Sequence, residues 1–186
     1  MVGIPGSGKS FFADYFADTF SAPIISINTL SREILSQANL NDDKQLVIDH
    51  LSNYMLDELL KTKQSIVFDG HSDTRTDRQA LVKKAHLAGY ETLFVWVQTE
   101  SLAAKNRVTK AIKNQVPNMT VDQFTAALKH FSPPHSVEKA VVISGKHTHA
   151  SQLKVVLGRL VETRASLPIS GLVPQRSDAH QKILIR

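Results

Sequence analysis

The residues with the clearest chemical meaning form one short motif at the start of the chain. Residues 3–10 read GIPGSGKS and match G-x-x-x-x-G-K-[ST] at every fixed position. The glycines let the backbone curl so that successive N–H groups point at one anion. Lys9 can reach the β- and γ-phosphates of a nucleotide, and the Ser10 hydroxyl can bind Mg²⁺. The motif predicts a phosphate-binding loop, because an amphipathic helical pattern follows it directly and argues against a flexible Gly/Ser terminus.

The candidate phosphate contacts extend from this loop, called the P-loop below, into the helix that follows it. The positive end of the helix dipole adds to the N–H groups of the loop. The nucleotide-contacting residues that we infer are Gly3, Pro5, Gly6, Ser7, Gly8, Lys9, Ser10 and Phe11.

A carboxylate ends the second apolar run of the chain. Asp69 follows the apolar segment 65–68, and ligands of open α/β sheets lie at the carboxyl ends of the strands. This is the position of a Walker B acid, which acts near Mg²⁺. We therefore expect Ser10 and Asp69 to hold the metal, and the alternative is an aspartate that only caps the next turn.

The elements that must position these residues follow from the hydrophobic pattern. Four short runs rich in β-branched and aromatic residues predict buried parallel strands, because they are continuously apolar. Helical patterns alternate with them, which favours an α/β fold, the three-layer sandwich of P-loop NTPases with a mostly parallel sheet. The predicted strands are 23–28, 65–70, 92–99 and 140–145, and the predicted helices are 9–20, 42–63, 76–88, 101–115, 120–131 and 149–165.

The P-loop normally follows the central strand of such a sheet, yet only Met1 and Val2 precede it here. A sheet without its central strand would leave backbone groups of two neighbouring strands unpaired, which is costly when they are buried. On this pattern the first strand is truncated. We favour a chain that begins inside a longer protein, and the less favoured alternative is that the tail segment 183–185 fills the position.

The composition is that of an ordinary globular chain, with 42% hydrophobic and 21% charged residues. We assign one domain to residues 1–165 and an extended or disordered tail to residues 166–186, with strand addition to a sheet edge as the alternative for the tail. No run approaches the about 20 apolar residues that span a membrane. The chain has no cysteine, which excludes disulfides and thiolate metal sites, and we expect a cytoplasmic protein.

The formal net charge of +5 is concentrated in two parts of the chain. Residues 1–145 hold 15 basic and 15 acidic residues, whereas residues 146–186 hold seven basic and two acidic ones. A second basic excess lies within residues 101–131. The basic tail leaves nucleic-acid binding as an alternative function, although no aromatic residue that could stack on bases follows Phe131.

Signatures of other P-loop classes are missing from the sequence. No Asn-Lys-x-Asp for guanine recognition is present, and the signature of transporter ATPases is absent as well. Over residues 1–165 the chain instead resembles the small P-loop kinases of the polynucleotide kinase and zeta-toxin type, an AAA-type ATP-binding family. The matching pieces are GIPGSGKS, the strand end VFDG followed by DTRTDR, the basic segment AAKNRVTK, then MTVDQF and VVISGK.

The resemblance implies binding of ATP and Mg²⁺ and transfer of the γ-phosphoryl group to a hydroxyl or phosphate acceptor, such as a polynucleotide 5′-hydroxyl. Phosphoryl transfer depends on positioning and charge neutralisation, so a basic lid is expected over residues 101–131. Its catalytic candidates, beside Lys9, are Arg107 and Lys110, which share a helix face at a spacing of three. A solvated basic helix face is the alternative. The family also implies that Lys146, after the last strand, lies beside the adenine.

The sequence departs from the family on the acceptor side. The family has an aspartate three residues before an arginine, whereas this chain keeps Arg32 but has Thr29 at the position of the aspartate. Asp73 is our candidate for part of that catalytic role, with Arg32 and Arg75 binding the acceptor. The neighbouring Arg78 could bind acceptor phosphates too, although a helix-starting role fits both Arg75 and Arg78 equally well.

A second departure lies in the lid. Relatives carry two arginines four residues apart in this segment, and the second position is Ala111 here. Together with Thr29, this departure keeps open a catalytically weakened ATP-binding module that acts by conformational change.

Overall fold

The structure is a computed structural model that describes residues 1–37, 44–110 and 119–165. Within those ranges strands and helices alternate, as predicted. The strands are β1 (Ile24–Ser26), β2 (Val67–Asp69), β3 (Val95–Gln98) and β4 (Val141–Ser144). The helices are α1 (Lys9–Phe20), α2 (Ile27–Gln37), α3 (Lys44–Lys61), α4 (Arg75–Leu87), α5 (Ser101–Thr109), α6 (Val121–His130) and α7 (His149–Ala165). The predicted tail, including segment 183–185, lies outside the described residues.

Two parallel strand pairs make up the sheet, and the first two residues of the chain lie between them. β1 pairs with β2, and β3 pairs with β4. The N–H of Val2 donates to the Val95 carbonyl at 2.8 Å, and the N–H of Val97 donates to the Val2 carbonyl at 2.8 Å. On the other side, the nitrogen of Met1 donates to the Phe68 carbonyl at 2.7 Å. Residues 1–2 therefore occupy the central position, and the P-loop leaves the sheet between β2 and β3.

An apolar cavity of about 570 Å³ lies between β2 and β3, next to the short central segment. Its walls include Phe16 of α1, Leu60 of α3 and Leu160 of α7. Phe68 of β2 and Leu93, which precedes β3, complete this set. Residues 1–2 therefore fill only part of the space between the two strand pairs. The cavity occupies the remaining part, next to the amino ends of β2 and β3.

Helices cover both faces of the sheet, which confirms the three-layer α/β arrangement. On one face, Phe12 of α1 and Val156 of α7 pack against Val97 of β3. On the opposite face, Ile25 of β1 packs against Leu56 of α3. Burial of each such side chain contributes about 1.5–3 kcal/mol to folding. Because the paired strands are parallel, their carboxyl ends and the loops that follow them lie at one edge of the sheet.

Helix α2 was not predicted. The strand expected over residues 23–28 ends at Ser26, and α2 begins at Ile27. The β-branched residue Ile27 favours extended backbone. Leu30, however, lies three residues later, at the spacing of one helix face, and packs into the core beside Ile25. Thr29 and Arg32, the arginine predicted to bind the acceptor, therefore lie on a helix and not in a loop.

The other predicted elements are confirmed, most of them with shorter ends. The helices expected over residues 9–20 and 149–165 have those bounds in the structure. The predicted residues 42–43 and 111–115 lie outside the described ranges. No helix in the described part of the chain is long and apolar enough to cross a membrane.

Candidate active site

The conformation of the P-loop depends on glycine. Gly3, Gly6 and Gly8 have φ angles of 144°, 76° and 105°, which residues other than glycine rarely adopt. A Cβ on Gly6 would lie 2.3 Å from the carbonyl oxygen of Ala104 in α5. The loop is therefore packed closely against α5, and a side chain at Gly6 would force the two apart.

Helix α1 begins at the end of the loop without a capping side chain. Gly8 is the N-cap residue, no side chain bonds the first turn, and that turn holds no acidic residue. The first N–H groups of a helix have no intrahelical partner and are available to an anion. The Ser7 hydroxyl, in the same loop, is buried without a hydrogen-bond partner. These donors fit a phosphate group.

Lys9 places a partly buried ammonium inside the loop. Its Nζ donates to the carbonyl oxygens of Gly3 at 2.6 Å and Ile4 at 3.2 Å. Burial lowers the pKa of Lys9, and the carboxylates of Asp73 and Asp69 partly oppose that shift. A desolvated cation gains most from an anionic partner, so the phosphates of a nucleotide would favour the charged form of Lys9.

Ser10 and Asp69 meet as the sequence predicts for metal ligands. The Ser10 hydroxyl donates to Asp69 Oδ2 at 2.6 Å, and Asp69 is only 2% exposed. The other carboxylate oxygen, Oδ1, is buried without a hydrogen-bond partner, which is costly for a charged group. The amide of Asn28, which the motif does not include, donates to Ser10 Oγ at 3.3 Å. This oxygen-rich set fits Mg²⁺, which prefers hard oxygen ligands.

Helix α5, the first helix of the predicted lid segment, lies directly against the P-loop. The guanidinium of Arg107 donates from Nη1 to the Gly6 carbonyl at 3.1 Å and from Nη2 to the Gly145 carbonyl at 3.4 Å. The predicted shared helix face with Lys110 is wrong, because α5 ends at Thr109 and Lys110 has extended backbone. Arg107 thus bridges the P-loop and the loop after β4, whereas Lys110 is exposed beyond the helix. Ala111 lies outside the described residues.

The loop after β4 approaches the P-loop closely. A Cβ on Gly145 would lie 2.1 Å from the Ser7 carbonyl oxygen, which also accepts from the Thr99 hydroxyl at 2.9 Å. Lys146 follows and its Nζ lies 3.3 Å from the Glu100 carboxylate, at the protein surface. No local sequence pattern predicted the contacts of Thr99 with Ser7 and of Glu100 with Lys146, because each contact joins residues that are far apart in the chain.

Phe11 lies on the outer side of this loop. The residue is 70% exposed, and its ring packs against His149 with the ring planes tilted by 40° and the centroids 4.3 Å apart. His149 in turn stacks on Tyr15 at 4.2 Å. The aromatic stack joins the starts of α1 and α7, the two helices whose first turns adjoin the P-loop and the Gly145 loop.

Two of the predicted acceptor-side residues lie at the loop between β2 and α4, and the third lies on α2. Asp73 lies in that loop with an exposed side chain, and Arg75 is the first residue of α4 and also exposed. Arg32 is exposed on α2. Sequence reasoning missed the pair of His71 and Asp49, whose Nε2 and Oδ1 are 2.7 Å apart and link this loop to α3.

The interpretation of Arg78 as a ligand of acceptor phosphates is wrong. Arg78 is 0% exposed, and its guanidinium lies against the carboxylate of Glu138, with Nε 2.6 Å from Oε1. A side chain with no solvent-accessible surface cannot contact an acceptor. Its role is inside the protein.

Comparisons with known proteins place this site in a wider context. A family model described as an AAA domain matches residues 1–134, and no curated protein matches. The fold is similar to that of a gluconokinase from Sinorhizobium meliloti 1021, with 20% identity, 88% of this chain and 93% of that chain covered, and a TM-score of 0.62. A sugar kinase from Janibacter sp. HTCC2649 is 16% identical, with 88% of this chain and 94% of that chain covered and a TM-score of 0.62. A shikimate kinase from Aquifex aeolicus is 12% identical, with 88% of this chain and 95% of that chain covered and a TM-score of 0.58.

Proposed function

The chain belongs to the AAA domain family, whose model it matches over residues 1–134, and from that premise we propose that it is an ATP-dependent kinase. It transfers the γ-phosphoryl group to a hydroxyl or phosphate acceptor. The observation that carries the proposal is the hydrogen bond of 2.6 Å between Ser10 and the buried Asp69, beside the uncapped start of α1. The kinase-type fold of the similar structures supports it.

The P-loop binds the triphosphate through its backbone N–H groups and the start of α1. Lys9 exchanges its contacts with the Gly3 and Ile4 carbonyls for the β- and γ-phosphate oxygens. Ser10 and Asp69 would hold Mg²⁺, which neutralises phosphate charge when it is bound. Because the Lys9 ammonium is partly buried, its attraction to those oxygens is stronger than it would be in water.

Arg107 supports the transfer from the lid side. Its contacts with the Gly6 and Gly145 carbonyls hold the guanidinium between the two loops that flank the nucleotide. The bond between the γ-phosphorus and the β,γ-bridging oxygen breaks as the acceptor oxygen bonds to the same phosphorus. Arg107, with Lys110 nearby along the chain, neutralises the negative charge on the transferring group and on the leaving ADP.

The acceptor lies on the side of Asp73, Arg32 and Arg75. The carboxylate of Asp73 orients an acceptor hydroxyl and accepts its proton, and the arginines bind anionic groups of the acceptor. Phe11 and Lys146 flank the base of ATP. Because the structural neighbours are named for gluconate, a sugar and shikimate as substrates, small hydroxylated metabolites come first among the acceptors, and a polynucleotide 5′-hydroxyl follows from the sequence resemblance.

The test is transfer of labelled phosphate from γ-labelled ATP with Mg²⁺ to four acceptor classes. These are gluconate and other sugar acids, shikimate, nucleoside monophosphates and an oligonucleotide with a 5′-hydroxyl. The proposal expects label on at least one class, with ADP formed in equal amount. ATP hydrolysis without transfer to any of them would contradict it.

A second candidate is an ATP-binding module that changes shape without transferring phosphate. The observation that favours it is Thr29 in α2, because a threonine cannot accept a proton as a carboxylate does at neutral pH. This candidate expects tight ATP binding without turnover, and it expects Thr29→Asp to create transfer. If the wild-type chain already transfers phosphate and Thr29→Asp adds little, the kinase assignment holds.

A further inference from the structure

Arg78 and Glu138 form a buried pair with fork geometry. Arg78 Nε donates to Glu138 Oε1 at 2.6 Å, and Nη2 donates to Oε2 at 3.0 Å. The side chains are 0% and 10% exposed. Glu138 is itself fixed, since its Oε2 also accepts from the His135 N–H at 2.6 Å. The planar guanidinium is the cation that matches a carboxylate in this way, so lysine would not reproduce the pair.

The remaining N–H groups of Arg78 bind the backbone of two loops. Nη1 donates to the carbonyl oxygens of Ser72 at 3.1 Å and Asp73 at 3.4 Å, on the loop after β2. It also donates to the Ser132 carbonyl at 2.8 Å, and Nη2 donates to the Pro133 carbonyl at 3.4 Å. One guanidinium thus joins the acceptor-side loop to the segment that follows the last lid helix, α6.

Asp73 is held at this junction from both sides. Its carbonyl oxygen accepts from Arg78 and also from the Ser132 N–H at 2.8 Å. The preceding Ser72 hydroxyl donates to the Met1 carbonyl in the central strand position. Thr74, which follows, starts α4 with a capping box shared with Asp77. The backbone is therefore fixed while the Asp73 carboxylate stays exposed, close enough to Lys9 for its charge to be felt there.

We propose that Arg78 and Glu138 are a positioning pair that fixes the backbone carrying the Asp73 carboxylate and anchors the segment after α6 to the same point. This inference rests on the kinase function proposed above; it gives Arg78, the last residue of the DTRTDR segment, a positioning role and adds Glu138. The pair does not contact the acceptor. It acts through Asp73, because the backbone on which that carboxylate stands has its hydrogen bonds to Arg78 and Ser132.

The test is a double-mutant cycle on phosphoryl transfer. Arg78→Lys keeps the charge but loses the fork, and Asp73→Asn removes the positioned carboxylate. We expect Arg78→Lys to lower kcat by about 10- to 100-fold, as displacement of a catalytic group by about 1 Å does, with KM for ATP unchanged. In the Asp73→Asn background, the same substitution should change kcat by less than about twofold, because coupled residues are not additive. Multiplicative losses in the double variant would overturn the inference.

Two further variants keep the result decisive. If circular dichroism shows that the Arg78→Lys variant is unfolded, Glu138→Gln replaces it in the cycle. The same non-additivity with Asp73→Asn is then expected. Glu58→Gln is the matched control, since it removes an exposed ion pair of the same 2.6 Å length, and kcat should not change. A wild-type chain without any transfer overturns the kinase function and this inference together, whereas an active chain with additive losses overturns this inference alone.

Discussion

The Ser10 hydroxyl and the Asp69 carboxylate are joined by a hydrogen bond of 2.6 Å, although 59 residues separate them in the chain. The contact brings the last residue of the P-loop motif to the carboxyl end of β2. It satisfies only Oδ2 of the aspartate and leaves Oδ1 buried without a partner. A cation at this position would satisfy that oxygen, and the first prediction follows from this.

Asp69→Asn should raise the Mg²⁺ concentration needed for half-maximal transfer and lower kcat by about 10- to 100-fold. The amide keeps the volume and the bond to Ser10 but loses the charge that attracts the cation. The measurement is a Mg²⁺ titration of the transfer rate. Asp14→Asn, on the exposed side of α1, is the control. An unchanged Mg²⁺ dependence in Asp69→Asn would exclude Asp69 from the metal site.

Gly6→Ala should destabilise the chain by about 1–3 kcal/mol and weaken ATP binding, because the new methyl group overlaps a packed backbone. Gly6 has a φ of 76°, and its Cβ would lie 2.3 Å from the Ala104 carbonyl oxygen. The free energy of unfolding and the Kd for ATP are the measurements. Gly158→Ala makes the same chemical change inside α7 with no atom within 4 Å, so it should stabilise the chain by about 0.5–1 kcal/mol. Equal effects at the two positions would refute the close contact between the P-loop and α5.

Arg107→Gln should lower kcat by about 100-fold or more, since the proposed mechanism uses this guanidinium as a preorganised donor to the transferring group. ATP affinity should change less, because Arg107 contacts loop carbonyls at the mouth of the P-loop and the backbone N–H groups remain. Steady-state kcat and the Kd for ATP separate the two effects. Lys129→Gln, an exposed residue of α6, is the control within the same basic segment. Similar small losses in both variants would support a merely solvated basic face.

The pair of Arg78 and Glu138 should make stability depend on pH in the acid range. The hydrogen bond from Arg78 lowers the pKa of Glu138 below its ordinary value of 4.5. The stabilisation is therefore complete above pH 4.5 and is lost as the pH falls through the lower, folded-state pKa. Near pH 7, Glu138→Gln should cost about 3–5 kcal/mol, as expected when a buried pair loses one charge.

Urea denaturation of wild type and Glu138→Gln at a series of pH values measures this dependence. The difference in the free energy of unfolding should be constant above pH 4.5 and shrink below it. Glu58→Gln, on the surface of α3, should show little difference at any pH. A difference for Glu138→Gln that grows toward acid pH would have the wrong sign for a carboxylate stabilised in the folded state.

The sequence predicted those parts of the fold and site whose signals are local. The P-loop motif occupies consecutive residues, and Asp69 ends a continuous apolar run, so both could be placed before the structure was known. Helix α2 was missed because its first residue, Ile27, is β-branched and continues the strand pattern of β1. The end of α5 at Thr109 likewise left Lys110 beyond the helix, although its spacing from Arg107 fits a helical face.

The positioning contacts could not be predicted from local pattern. Arg78 and Glu138 are 60 residues apart, and each of them alone reads as a charged surface residue. Only the fold shows that the arginine is buried and satisfied by two loops. The same holds for Thr99, whose bond to the Ser7 carbonyl spans 92 residues.

The most direct test of the kinase assignment is the rate of γ-phosphoryl transfer by Lys9→Ala, measured beside wild type and the exposed control Lys83→Ala. Lys9 supplies a cation inside the P-loop, and the proposed mechanism requires it to neutralise part of the charge on the transferring group. We expect Lys9→Ala to lose transfer by about 100-fold or more and Lys83→Ala to keep it. Unchanged transfer in Lys9→Ala would contradict the assignment of this site as the centre of the reaction.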